Sequence, residues 1–324
     1  EAKLSFVFGI DYSKDNIENR MDGACVRYIK KRRTMRNMFN ALFIHGSAVA
    51  NIKNTDSAFD DRGKRIINAI LGKGEKDRSR LGQGVYNCWG RARNGFDIIS
   101  NQFSIHYFFA DVYVLNNFIR NCAEMCKLNG HVIGTCYDGG KIFNRLRDKN
   151  IGESIFHVVD GKKMWSITKE YGETTFDATA DSLGYKINVY QESINKSFIE
   201  YLVNFDYFKQ LMYNYGFEPL RKEEANKLGL QKSIGSFQLL HNEMRLNIKK
   251  KKLNKTKVGK ALNMSAQEKD VSFLNNYFVF KKVREVAVEN VYDIEITKGE
   301  TKNIGAYEKK SRDIIKTIMA EKIN

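Results

Sequence analysis

Three side chains that could recognise a ligand follow a predicted strand in residues 95–107, whose sequence is G-F-D-I-I-S-N-Q-F-S-I-H-Y. The apolar residues of its first half predict a buried strand that begins after Gly95. Gln102, His106 and Tyr107 come at the end of this strand or just past it. Ligands of open α/β sheets bind beyond the carboxyl ends of the strands. We therefore expect an amide, an imidazole and an aromatic ring where a substrate would lie.

The next elements repeat this arrangement. Residues 131–137 form a short apolar run that ends in Tyr137 and Asp138. Between the two runs, residues 111–127 carry apolar side chains at helical spacing. Strand, helix and strand in this order predict a βαβ unit with a parallel sheet.

The composition limits the class of protein and its partners. The chain has 324 residues, enough for one large or two small domains. Lys and Arg outnumber Asp and Glu by 54 to 38, which gives a formal net charge of +16. Such a surplus indicates a polyanionic partner, with RNA or DNA first, although an ordinary basic soluble protein is the alternative. No run of about 18 apolar residues is present, so we expect no membrane span.

The five cysteines show no C-x-x-C pairing. Cys122 and Cys126 stand four residues apart on the predicted helix, with no histidine at ligand spacing. We interpret them as packing residues, predict no metal site and infer a reducing compartment.

The remaining elements are predicted from periodicity. They are a strand at 4–11, a helix at 16–36 with a break at 23, a strand at 40–45, short antiparallel strands between 153 and 190, a helix at 197–215 and a strand at 276–281. Asp11 ends the first of these strands, where an acid either binds a ribose diol or caps a turn. Residues 246–260 are rich in lysine, which predicts either a solvated loop or a contact with an RNA backbone.

Several motifs occur in an order that resembles the mRNA cap (guanine-N7) methyltransferases. They are Q-F-S-I-H-Y-F-F and L-N-G-H-V-I-G-T-C-Y-D-G, and the T-C-Y-D-G and L-G-Q-G-V-Y forms look most like those of giant DNA viruses. The resemblance covers residues 1–283 and leaves 284–324 as a charged C-terminal extension. It implies an α/β, class I (Rossmann-like) S-adenosylmethionine-dependent methyltransferase fold with a small antiparallel insertion. It also implies that the fold is truncated before its first strand, so that this strand and its glycine-rich cofactor loop lie upstream.

The resemblance implies S-adenosylmethionine as cofactor and assigns four residues to it. Asp11 would hold the ribose hydroxyls, and Gln102 and Tyr107 would contact the cofactor. The family usually has an Asp after the third strand to hold the adenine amino group. This chain has Gly46 and Ser47 there, so Ser47 is the expected contact without its charge.

Four further residues are assigned to the cap by the same resemblance. Arg27, in an R-Y pair, would reach the cap phosphates, and His106 would contact the cap. Glu200, in I-E-Y-L-V, would hold the guanine base, and Tyr277 would face it. Without the resemblance, Glu200 would be interpreted as an acid near a helix N-terminus.

The implied reaction transfers a methyl group to N7 of the cap guanine, whose lone pair needs no general base. We therefore assign no catalytic residue beyond positioning, and the sequence shows no nucleophile–base pair of the Ser-His-Asp type. The alternatives are a non-catalytic cap- or RNA-binding module and a methyltransferase for another RNA. Expected partners are the capped 5′ end of RNA and triphosphatase and guanylyltransferase modules in the same parent chain. The expected location is a cytoplasmic viral factory or the nucleus of an infected cell.

Overall fold

A computed structural model of the protein describes residues 4–35 and 37–300, which form two compact units. Among these residues the first unit contains 4–97 and 116–127, and the second contains 98–115 and 128–300. The strands are β1 (Phe6–Asp11), β2 (Asn40–His45), β3 (Phe96–Gln102), β4 (Cys126–Tyr137), β5 (Ser154–Val159), β6 (Lys162–Lys169), β7 (Lys186–Gln191), β8 (Lys196–Tyr201), β9 (Phe217–Pro219), β10 (Ile234–Ser236) and β11 (Asn275–Lys282).

The helices separate these strands in an α/β order. They are α1 (Lys14–Glu18), α2 (Ala24–Thr34), α3 (Asp61–Ile70), α4 (Arg78–Tyr86), α5 (Val112–Met125), α6 (Gly139–Arg145), α7 (Phe205–Asn214), α8 (Lys222–Lys227), α9 (Phe237–Lys249), α10 (Ala266–Ser272) and α11 (Val288–Glu300). A short 3-10 helix, Ile105–Ala110, links β3 to α5. None of the helices in the described ranges is long and apolar enough to cross a bilayer.

The first unit is built on a parallel strand pair. β1 and β2 pair in register from Phe6 opposite Asn40 to Asp11 opposite His45. Apolar side chains of β2 and α3 form the core of this unit, and Phe8 stacks on Phe96. The strands predicted at 4–11 and 40–45 are thus confirmed, and Asp11 lies at the carboxyl end of β1.

The predicted helix at 16–36 is two helices, with the break at Gly23. α1 begins after Ser13, whose hydroxyl accepts a hydrogen bond from Asn16 N–H. Gly23 is the N-cap of α2, and a methyl group there would lie 2.6 Å from Asn19 N, so this position requires glycine. The non-helical stretch between the two helices covers residues 19–23, and Gly23 is its last residue.

The second unit contains a mixed sheet with strand order β10-β11-β4-β3, and β9 also pairs with β11. β11 runs antiparallel to β4. Next to β4, Phe103 N–H at the end of β3 donates to the carbonyl of Thr135. The strand predicted for 131–137 is confirmed and extends back to Cys126. Ile98 of β3 is 52% exposed, so the prediction of a fully buried strand is wrong there.

A four-stranded antiparallel sheet, ordered β5-β6-β7-β8, forms the predicted insertion in the second unit. Ile167 and Ile187 lie on its inner face and pack with Ile142 of α6 in a buried cluster. β8 corrects the predicted helix at 197–215, because residues 197–201 are a strand. The helix α7 begins only after Asn204, whose side chain accepts from the N–H groups of Asp206 and Tyr207.

The predicted C-terminal extension, 284–324, is described only to residue 300. Here α11 accounts for the weak helical pattern, and Glu295 on it accepts a hydrogen bond from Asn214. Residues 301–324 lie outside the described residues. The division between a domain at 1–283 and an extension stays a prediction.

Candidate functional site

Glu200 lies on the inner face of the antiparallel sheet, and its environment sets its chemistry. It stands opposite Ile187 in the register of β7 and β8 and is only 9% exposed. Burial raises the pKa of its carboxyl from 4.5 to about 7. Oε2 has no hydrogen-bond partner among the described residues. A buried acceptor without a donor is costly, so this oxygen is available to a ligand that brings one.

His106 is the nearest ionisable neighbour of this carboxyl. Its Nδ1 lies 3.6 Å from Glu200 Oε2, beyond hydrogen-bonding distance, and neither ring nitrogen has a partner in the described residues. Burial lowers the pKa of His106 to about 4, so the ring is neutral at pH 7. Because a neutral imidazole carries no charge, the two side chains are neighbours and not an ion pair.

Aromatic rings surround this pair. The ring of Tyr107 lies 4.2 Å from that of His106, centroid to centroid, at an interplanar angle of 61°. Burial, and then the charge of Glu200, raises the pKa of Tyr107. The same two causes raise the pKa of Tyr137 to about 12, and its hydroxyl accepts from Gln191. Glu200, predicted from the resemblance, is brought together with His106 and Tyr107, which also follow a predicted strand end, and the three form what we call the base site.

Tyr137 is a neighbour of the base site that the sequence did not single out as a ligand-binding residue. The available signal was its position at the end of β4, the second strand of the predicted βαβ unit. Its hydrogen-bond partner, Gln191, lies at the end of β7, and no sequence motif indicated it.

Gln102 and Tyr277 lie along the mixed sheet, and Thr135 of β4 connects them. Tyr277 stands opposite Thr135 in the register of β11 and β4, and Thr135 Oγ1 donates to Gln102 Oε1 at 2.9 Å. Tyr277 is 5% exposed, and its hydroxyl donates to the carbonyl of Lys232. No methyl group fits at Gly235, because it would lie 2.7 Å from the Tyr277 hydroxyl. Tyr277 is therefore buried with its hydroxyl already bonded, and its contact with the cap stays a prediction.

The first unit contains a separate pocket at the end of β1, with a volume of about 390 Å³. Asp11 and Arg27 both line it. Asp11 Oδ1 accepts from Ser13 N–H at 2.8 Å and from the Asn16 amide at 3.2 Å, while Oδ2 receives only the Asn16 amide. A carboxylate has about four acceptor positions. Asp11 can therefore accept further hydrogen bonds from a ligand in this pocket.

Ser47 is buried in the turn after β2 and is not among the residues that line the Asp11 pocket. Its hydroxyl accepts from Val49 N–H at 3.2 Å. The turn is held by Asn121 of α5, whose amide donates to the carbonyls of Ala48 and Ala50. The role of Ser47 at a cofactor therefore stays a prediction.

All five cysteines are free thiols in the structure. The side chain of Cys122 on α5 is fully buried, and this burial raises the pKa of its thiol. Within 4–35 and 37–300, no group of three or more His, Cys, Asp or Glu side chains is placed to hold a metal ion.

Comparison with known proteins assigns the family. The profile of the mRNA (guanine-N(7))-methyltransferase domain matches residues 1–283, and the chain belongs to this family. Its α/β, class I S-adenosylmethionine-dependent methyltransferase fold is thereby confirmed.

Individual relatives are more distant. The chain is 28% identical over 212 residues to a probable mRNA-capping enzyme of Acanthamoeba polyphaga mimivirus, covering 62% of this chain and 16% of that protein. It is 23% identical over 239 residues to the mRNA cap guanine-N(7) methyltransferase of Candida glabrata, covering 73% of this chain and 55% of that protein. The matches thus span at most about half the length of these relatives.

Solved structures give weaker similarity. The CcbJ methyltransferase from Streptomyces caelestis aligns with a TM-score of 0.34 and 8% identity, covering 86% of this chain and 83% of that one. A S-adenosylmethionine-dependent methyltransferase from Clostridium acetobutylicum aligns with a TM-score of 0.33 and 9% identity, covering 67% of this chain and 75% of that one. These scores are too low to support an argument about the fold.

Proposed function

We propose that this chain provides the methyltransferase activity of an mRNA-capping system, transferring a methyl group from S-adenosylmethionine to N7 of the 5′ cap guanine. Membership of the guanine-N7 family supports this activity. The observation that carries it is the base site, where Glu200 offers a buried carboxyl oxygen without a partner.

Guanine has the donors that this oxygen lacks. Its N1–H and exocyclic amino group point in the same direction, and one carboxylate can accept from both. Adenine presents an acceptor at N1, so a buried carboxylate would reject it because one partner would be left unpaired. Neutral His106 adds no competing positive charge. The base site therefore fits guanine by hydrogen bonding.

The reaction itself requires placement more than proton transfer. N7 carries a lone pair and no proton, so the C–N bond forms as the C–S bond breaks without a general base. S-adenosylmethionine, when bound, supplies the methyl group on a sulfonium. Correct alignment of reactants can account for at most about 7–11 kcal/mol of the barrier. The product guanine is cationic, and Glu200 with the ring of Tyr107 suits that charge. Tyr277 remains a proposed cap contact.

The cofactor and phosphate roles follow from the pocket at the end of β1. Asp11 keeps an acceptor position on Oδ2 for a ribose hydroxyl, which fits the acid that class I folds place at this strand end. We assign Arg27 to the cap phosphates because a guanidinium is a bidentate donor to phosphate. Ser47, Gln102 and Tyr107 remain proposed cofactor contacts, since their side chains show no feature that selects S-adenosylmethionine.

The wider context is also a proposal. The relative from mimivirus is named as a probable mRNA-capping enzyme and is much longer than the matched region. We infer that the substrate, capped RNA, is supplied by triphosphatase and guanylyltransferase activities, in the same parent chain or beside it. A cytoplasmic viral factory or an infected nucleus stays the predicted location.

Methyl transfer to capped RNA by the Glu200→Gln variant, made in the complete parent protein, tests the function. The amide places an N–H where guanine needs an acceptor, so the efficiency should fall by roughly 10- to 100-fold. Affinity for S-adenosylmethionine, measured by calorimetry, should hardly change. The exposed Glu223→Gln is the matched control and should retain full activity. Near-normal methylation by Glu200→Gln would remove this carboxyl from the site, and cap binding without any transfer by the unaltered protein would indicate a binding module.

A further inference from the structure

A strongly basic segment lies outside the base site and the Asp11 pocket. Between Glu243 and Glu268 the sequence contains eight basic residues and no acidic one. They are Arg245, Lys249, Lys250, Lys251, Lys252, Lys255, Lys257 and Lys260, and we call residues 245–260 the basic segment. It starts in the last turns of α9 and continues beyond the C-terminal end of that helix.

All eight basic side chains are exposed, and none has an ion pair or side-chain hydrogen bond among the residues that the structure describes. Other lysines of the same unit are paired with carboxylates, namely Lys141, Lys162, Lys186, Lys209, Lys281, Lys282 and Lys298. The difference matters because a paired lysine has already found its counter-charge. Other exposed lysines of this unit, such as Lys163 and Lys196, also have no ion pair with a described residue, but they are scattered, whereas the basic segment concentrates unpaired positive charge within 16 residues.

The backbone holds these like charges close together. Lys251 adopts a left-handed conformation with φ of 56°, and the N–H groups of Lys252 and Leu253 both donate to the carbonyl of Asn247. Asn254 then caps a 3-10 turn by accepting from Thr256 N–H. The negative end of the α9 dipole stabilises charges only within the last turn, so the lysines beyond it still repel one another.

A pocket beside the start of α9 is not the anion site. Its volume is about 750 Å³, and the start of α9 lines part of it. Lys141 pairs there with Asp138, and Arg145 pairs with Asp270 through two hydrogen bonds. Two of the three described cations that line the pocket are already neutralised, and only Lys232 is left for an anion.

We propose that the basic segment binds the phosphate backbone of single-stranded RNA downstream of its 5′ end. This proposal rests on the proposed function, because capped RNA would then be the substrate. A protein partner fits less well, since an interface needs an apolar centre and Leu246, 44% exposed, is the single exposed large apolar side chain of residues 245–260. Eight exposed cations around a single exposed leucine fit a polyanion that is bound through charge.

The test compares two variants in which the same number of charges is removed. In Lys250→Gln/Lys251→Gln/Lys252→Gln the change lies in the basic segment. In Lys162→Gln/Lys209→Gln/Lys298→Gln three paired lysines of the same unit are changed. Binding of a fluorescent 20-nucleotide single-stranded RNA without a cap is measured by anisotropy between 50 and 200 mM salt. Methylation of a cap dinucleotide and of a capped 20-nucleotide RNA is measured in parallel.

We expect the first variant to bind the RNA roughly tenfold more weakly and the control to bind it normally. The slope of log affinity against log salt should become shallower by about 2, at roughly 0.7 for each phosphate of a single strand that the variant no longer neutralises. Methylation of the dinucleotide should be unaffected, while the KM for the longer capped RNA rises. Equally weakened binding by both variants would reduce the effect to net charge and overturn the proposal.

Two further results would also overturn it. Unchanged RNA binding by the first variant would leave the segment as a solvated surface. Displacement of the RNA by a poly-glutamate peptide at lower charge concentration than by competitor RNA would identify an acidic protein as the partner. The uncapped RNA binds without any methyl transfer, so the proposed function can fail while this inference holds.

Discussion

Glu200→Gln should weaken methylation and stabilise the fold at the same time. The carboxyl is buried on an apolar sheet face, and its pKa in the folded protein is about 7 instead of 4.5. A group with a raised carboxyl pKa favours folding while it is protonated. Its contribution is complete at low pH and is lost as the pH rises from about 4.5 to about 7. A glutamine of the same size keeps the neutral form at every pH.

The magnitude follows from the two pKa values. Each pH unit between them corresponds to about 1.4 kcal/mol, so the ionised carboxyl costs about 3 kcal/mol above pH 7. At pH 5 the cost is only about 1 kcal/mol, because this pH lies only slightly above the pKa of the unfolded form. The Gln variant should therefore be more stable than the original protein at pH 8, and this advantage should shrink by about 2 kcal/mol at pH 5.

Urea denaturation at pH 5, 6, 7 and 8 measures this difference, with Glu223→Gln as an exposed control that should show no such trend. An advantage that does not change with pH would refute the reasoning, since it would mean that Glu200 titrates normally in the folded chain. A Gln variant that is less stable at pH 8 would show that the carboxylate accepts a hydrogen bond from the protein or from water when it is ionised.

Three further predictions concern binding and stability. Guanine binding should weaken about tenfold for each pH unit below 7, because the protonated Glu200 must lose its proton to accept N1–H; calorimetry with a cap analogue from pH 5.5 to 8 measures this, and a flat profile would contradict it. Asp11→Ala should raise the KM for S-adenosylmethionine roughly 10- to 100-fold and that for capped RNA far less, from a charge-assisted hydrogen bond of about 1.5–3 kcal/mol; steady-state kinetics tests this against the exposed Asp15→Ala, and two unchanged constants would reject the ribose role. Asn121→Leu should cost about 2–4 kcal/mol of unfolding free energy, because it leaves two carbonyls of the turn after β2 without their donor; a decrease of less than about 0.5 kcal/mol in urea denaturation would show that water replaces the amide.

Periodicity predicted most of the fold because the elements bury one face each. The strand at β2 and the helix at α5 were found within a few residues of their ends. Ile98 was predicted to be buried because an apolar run usually marks an inner strand, yet this side chain is 52% exposed. Sequence hydrophobicity does not indicate which segments later cover a strand, so such errors arise from the tertiary arrangement.

The pattern placed His106 and Tyr107 beyond a strand end, but Glu200 and its proximity to them were predicted only by resemblance. His106 and Glu200 are far apart in the chain, and only the pairing of β8 with β7 and the packing of β8 against the 3-10 helix bring them within 3.6 Å. Beside them, Gln191 of β7 donates a hydrogen bond to the hydroxyl of Tyr137 of β4, which links two different sheets. Such proximity depends on topology, which no local spacing encodes.

The placement of Glu200 on a strand instead of a helix changes its expected chemistry. At a helix N-terminus the dipole would stabilise the carboxylate and lower its pKa. The run S-F-I-E-Y instead has the β-branched and aromatic residues of a strand, and the helix starts only after Asn204. The register then fixes the carboxyl beside Ile187 on an apolar face, where desolvation raises its pKa. The two placements predict opposite slopes of stability against pH, so the urea experiment on Glu200→Gln also decides between a strand and a helix at this position.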